Sequence, residues 1–93
     1  MRGVVSYRRE PGAVPRVGDV VDLDGAAAPE FARSMLRLEI TEAPTASSLD
    51  ALAGRGADTA VWLLLTGWEL AHRNRRVRLR TVSARRAGIR RVR

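Results

Sequence analysis

Residues Met35-Leu36-Arg37-Leu38-Glu39-Ile40-Thr41 alternate strictly between apolar and polar side chains. Successive side chains of a strand point to opposite faces, so Leu36, Leu38 and Ile40 share one face while Arg37, Glu39 and Thr41 share the other. A helix would scatter the same residues around its circumference. The run is therefore predicted to be a half-buried strand, and it sets the expectation of a β protein.

Other segments repeat the pattern. Val17 to Leu23 is predicted as a short strand with Val21 and Leu23 on one face and Asp22 opposite, closed by the turn pair Asp24-Gly25. Ala60 to Leu70 is apolar on both faces, as suits a central strand, with Gly67 marking a bulge or bend. Arg76 to Val82 alternates again, which predicts Val77, Leu79 and Thr81 inward and Arg76, Arg78 and Arg80 outward. The connection His72 to Arg75, with Asn74 able to take a left-handed conformation, would join these two strands as a hairpin. Val4 to Arg8 is expected as a first strand, ended by Pro11-Gly12 and Pro15. Pro29 to Arg33 suits one short helical turn with Pro29 at its first position. Ala43 to Asp58, rich in Ala, Ser, Gly and Thr, is expected to be a long flexible loop, in which Ser48 is able to cap a turn through Leu52. Ala87 to Arg93 is either a final short strand or a tail.

About five short strands in one domain spanning residues 1–93 point to an all-β, mainly antiparallel fold: a small SH3-like or OB-like barrel with minor helical turns. Leu38 and Leu64 are read as core positions. A domain of this size has a net stability of roughly 5–10 kcal/mol, so single core residues matter. Trp62 and Trp68 fall on one face of their strand, where they either pack against the barrel or offer a stacking surface.

Ala27-Ala28-Pro29-Glu30-Phe31-Ala32-Arg33 before Met35-Leu36, the strand Trp62-Leu63-Leu64-Leu65-Thr66-Gly67-Trp68-Glu69-Leu70, the earlier Gly18-Asp19-Val20-Val21 and the closing Ala87-Gly88-Ile89-Arg90 resemble a set of small actinobacterial β-barrel proteins of unassigned function. The resemblance spans most of residues 17–90. It departs in the 43–58 connection and in the density of arginine after His72. It implies a fold and carries no activity.

Charge is distributed unevenly. Residues 72–93 hold ten arginines and no carboxylate, whereas all ten acidic residues lie before them and the formal net charge is +7. A cationic pole of this kind recruits polyanions. All seventeen Lys+Arg residues are Arg. Guanidinium makes forked contacts to phosphate and carboxylate that ammonium does not, although GC-rich coding would also favour Arg over Lys. Coding does not account for the clustering.

Other chemistry finds little support. The chain has no cysteine, which rules out disulfides and thiolate metal sites and fits a cytoplasmic protein. The N-terminal residues lack the apolar run of a signal sequence, and the run around Val61 to Leu65 falls far short of the ~20 residues that a membrane span needs. The single histidine, His72, sits in a predicted turn among arginines and is expected to be an exposed turn residue. Asp19, Asp22 and Asp24 fit only part of a calcium loop, and Gly54-Arg55-Gly56 lacks the Lys-Ser/Thr of a phosphate-binding loop. No catalytic, metal-binding or cofactor-binding residue is expected, no cofactor is called for, and the protein is not expected to be an enzyme.

The candidate binding residues are Arg73, Arg75, Arg76, Arg78, Arg80, Arg85, Arg86, Arg90 and Arg91. Outward residues at alternate positions of a strand stand about 6.6 to 6.8 Å apart, so Arg76, Arg78 and Arg80 are expected to meet successive phosphates. The same row would also serve as a charged edge that blocks strand pairing. The expected partner is nucleic acid, contacted mainly at phosphate. The alternative is an acidic protein, with the chain acting as an interaction module or as a subunit of a larger assembly.

Overall fold

The computed structural model describes residues 13–93, so the strand expected at Val4 to Arg8 lies outside the described residues. Among the described residues, six strands form one antiparallel sheet: β1 (Val20–Leu23), β2 (Leu36–Ile40), β3 (Thr45–Ala46), β4 (Trp62–Ala71), β5 (Arg75–Arg85) and β6 (Arg90–Arg91). One helix, α1 (Ser48–Leu52), and 3-10 turns at Pro29–Phe31, His72–Asn74 and Arg86–Gly88 join them. The spatial order is β3-β4-β2-β1-β6, with β5 also paired to β4. The sheet curls into a half-barrel, an all-β, barrel-like fold.

The alternation of β2 is realised as predicted: Leu36, Leu38 and Ile40 are buried, while Arg37 and Glu39 are half-buried on the other face. β1 lies between β2 and β6, and all four of its residues are buried. Asp22 tolerates this burial because Arg37 donates to both of its oxygens, at 2.8 and 2.9 Å. The Asp24-Gly25 turn forms, and the Asp24 carboxylate accepts from the Ala26 N–H at 2.9 Å. Pro29 opens a 3-10 turn as expected, delivering Phe31 to the core.

β4 is the central strand. Its first half pairs with β3, at Leu63 and Leu64, and its second half with β2, at Gly67 to Glu69. Leu63 and Leu65 are completely buried with Val21, Leu23, Leu38 and Ile40. Leu64 points to the other face and is only half-buried, so the core reading was right for Leu38 and one residue off for Leu64. Gly67 lies where β4 takes up β2. A Cβ there would sit inside contact distance of the Glu39 carbonyl oxygen and 2.7 Å from its carbon, so close backbone approach requires the glycine. The register shift lies beyond it, between Glu69 and Leu70.

The 43–58 segment holds β3 and α1, where a long loop was expected. Ser47, not Ser48, caps the helix, its Oγ accepting from the Asp50 N–H at 3.4 Å. Asp50 is buried, accepts from the Val61 and Trp62 N–H groups at 3.1 and 3.0 Å, and thereby ties the segment to the start of β4. These backbone donors hold its carboxyl below the usual carboxylate range, with smaller contributions from Ser47 and Arg55 opposed by burial. At the C-terminus β6 forms a strand against β1, resolving the expected choice between strand and tail. No helix among the described residues is long and apolar enough to cross a membrane.

Candidate functional site

The β4–β5 hairpin closes through His72–Asn74, and Asn74 adopts the predicted left-handed conformation with φ 57°. Arg73 is left-handed too, with φ 60° and ψ 30°. Gly or Asn fills such a position at less cost than Arg, which pays roughly 1–2 kcal/mol there. His72 is an exposed turn residue. Among the described residues, no third strand pairs with β4 or β5 beyond Glu69, so the end of the hairpin, residues 70–76, is two-stranded there.

The faces of β5 differ from the sequence expectation. Val82 pairs with Leu65 and Ala84 with Leu63, and both are buried, so the even-numbered residues of this half face the core. Thr81 lies on the opposite face, its hydroxyl 2.8 Å from that of Thr66, and Val77 and Leu79 are 45% and 53% exposed. Val77, Leu79 and Thr81 therefore do not point inward. The long apolar strand β4 dictates the register, and it buries Val82 and Ala84 in place of the residues that alternate with arginine.

The register shift also breaks the expected row of arginines. Glu69 pairs with Arg78 but Leu70 pairs with Arg76, leaving Val77 as an extra residue. A bulge of this kind puts Arg76 on the face opposite Arg78 and Arg80. Arg76 lies over the Trp68 ring, 5.7 Å from its centre, and grips Glu39 through Nε and Nη2 at 3.0 and 3.4 Å. On the other face Arg78 and Arg80 converge on one oxygen of Glu69, at 2.9 and 3.2 Å. The hydrogen bond from Arg78, seconded by Arg80, holds the Glu69 carboxyl below its usual range against partial burial.

Of the nine predicted arginines, the fold gathers Arg73, Arg75, Arg76, Arg78 and Arg80 at the hairpin end. The remaining four lie elsewhere. Arg85, at the other end of β5, lies over Trp62 at 5.3 Å, so both tryptophans share the predicted face and each carries a guanidinium. Arg86 Nε donates to the Ala60 carbonyl at 2.7 Å. Arg90 and Arg91 are on β6, separated from β4 by two strands, and approach Asp24 at 3.5 Å and Asp19 at 3.8 Å. The three aspartates once considered for a cation thus each meet an arginine.

Sequence reasoning missed Glu39, Glu69 and Arg37, and identified Asn74 for its turn conformation alone. Arg37, besides holding Asp22, reaches Asn74 Oδ1 at 3.4 Å and so ties the turn to β2. A charged residue inside the apolar run Leu63 to Leu70 was the available signal for Glu69. Among the described residues, five guanidiniums at the hairpin end face two carboxylates, and Arg73 and Arg75 form no ion pair. No protein-family model, no curated protein and no solved structure matches this chain.

Proposed function

We propose that the protein is a non-enzymatic nucleic-acid-binding module that contacts phosphate through the end of the β4–β5 hairpin. The observation that carries this reading is the excess of guanidinium over carboxylate there, with Arg73 and Arg75 exposed at the turn and without ion pairs among the described residues. Arg76, Arg78 and Arg80 are held in place by Glu39 and Glu69, which orients the charges and limits the entropy lost when an anion arrives. An arginine kept at a left-handed position adds support, because a cheaper residue would make the turn equally well. Such a protein works where nucleic acid is accessible, and we place it in the cytoplasm.

A second reading, docking on an acidic protein, draws on exposed Val77 and Leu79, since phosphate offers no apolar contact. Binding of the full chain to labelled oligonucleotides across a salt series tests the first reading. Neutralising the two turn arginines together, Arg73→Asn with Arg75→Gln, leaves Glu39 and Glu69 paired and should reduce the slope of log K against log salt by about 1.5 to 2. Absence of binding by the wild-type chain at low salt would overturn the proposal and leave the acidic partner.

A further inference from the structure

We infer that the preferred ligand is duplex DNA of B form, entered through its major groove by the two-stranded end of the β4–β5 hairpin. This rests on the nucleic-acid reading and commits it to one class of ligand. A single strand lying along a sheet meets the cations of one face only. Here the bulge at Val77 divides the cations between two faces: Arg75 shares one with Arg78 and Arg80, Arg76 lies on the opposite one, and Arg73 sits at the turn between them. Arg73, Arg75 and Arg76 lie on the two-stranded end itself, with Arg78 and Arg80 at its base, and cations on both faces of the hairpin match a cleft with phosphates along both walls.

Size and chemistry select among clefts. The major groove of B-form DNA, about 12 Å wide, admits a two-stranded ribbon, whereas the minor groove at about 6 Å does not. The major groove of duplex RNA is deep and narrow and closed to side chains. Of the grooves, only the major groove presents a methyl group, that of thymine. Val77, exposed at the base of the two-stranded end, and Leu79, exposed one step further along β5, give the hairpin apolar side chains suited to such a surface. Arg37, bound to Asp22 in β1 and to Asn74 in the turn, braces the ribbon against the sheet, so it is presented in one orientation.

The test uses the full chain and one mixed sequence as duplex DNA, duplex RNA and each single strand, at fixed salt. The inference expects duplex DNA to bind roughly tenfold or more tighter than the other forms, as a groove-shaped set of phosphates contributes several contacts at once. Methyl green, a major-groove ligand, should compete, and the minor-groove ligand netropsin should not. Arg73→Asn with Arg75→Gln should lower affinity for duplex DNA and bring the duplex-to-single-strand ratio toward one. Arg16→Gln, exposed near the Ile40 end of the sheet and outside the binding set, should leave that ratio unchanged. Equal binding to duplex and single strand, competition by netropsin alone, or preference for duplex RNA would overturn the groove inference while the nucleic-acid reading survives. Failure to bind any of the four at low salt would overturn both.

Discussion

Gly67→Ala isolates one close contact between backbones. The added methyl would meet the Glu39 carbonyl group and lie 3.0 Å from the Ile40 Cα, and backbone cannot swing aside as the end of a side chain can. β2 would have to withdraw from β4 where Ile40 pairs with Gly67, straining the neighbouring Thr41 N–H to Thr66 carbonyl bond of 2.9 Å. Overpacking a rigid site costs about 1–3 kcal/mol, and one weakened backbone hydrogen bond adds about 1 kcal/mol. Reduced freedom of the unfolded chain returns about 0.4–1 kcal/mol, for a net loss near 2–3 kcal/mol. With a urea m-value of about 1 kcal/mol/M for a domain of this size, the midpoint should fall by about 2–3 M. Trp68, next in sequence and paired with Glu39, makes tryptophan fluorescence the natural probe, with far-ultraviolet circular dichroism as the second. Gly54→Ala is the control. Gly54 has φ +81° and no neighbour within reach of a Cβ, so it should lose only the conformational cost of about 1–2 kcal/mol. A Gly67→Ala midpoint at or above wild type would refute the close approach of β2 and β4.

Leu38→Ala should cost about 3–4 kcal/mol because Leu38 is completely buried, and Leu64→Ala about 1 kcal/mol because Leu64 is half-buried on the other face; urea midpoints of the pair check the assignment of faces. Asp50 and Glu69 have carboxyl groups held below their unfolded values of 3.8 and 4.5, so their contribution is present above those values and lost as pH falls through the lower folded ones. Urea midpoints should accordingly stay level down to roughly pH 5 and decline below it, with a shallower decline in Asp50→Asn, and a profile of equal steepness in that variant would count against the Asp50 anchor. Arg73→Asn should leave stability unchanged or raise it by up to about 1 kcal/mol, since Asn adopts the left-handed region more readily, while nucleic-acid affinity falls; a clear loss of stability would mean that the arginine serves the turn.

What the sequence determined by itself is local. The alternation of Leu36 to Ile40 required a strand with those residues buried, whatever it paired with. The apolar run before Ala71 required a central strand, and Asn74 with the short link from His72 required a hairpin. Pro29 could only open a turn. The tertiary structure decided everything that depends on a partner distant in the chain. Which face of β5 turns inward was set by pairing with β4 and by the extra residue Val77, since arginine and apolar residues alternate from Arg76 to Arg80 and one residue of slip exchanges the faces. Asp50 became an anchor only because folding brings the start of β4, eleven and twelve residues on, to its carboxylate. The cationic segment was plain in the composition. Its division into arginines held by Glu39 and Glu69, arginines on β6 and the 3-10 turn, and an exposed pair at the hairpin turn came from the fold, because charge compensation depends on distance in space and a carboxylate such as Glu39 lies 37 residues from its arginine in sequence.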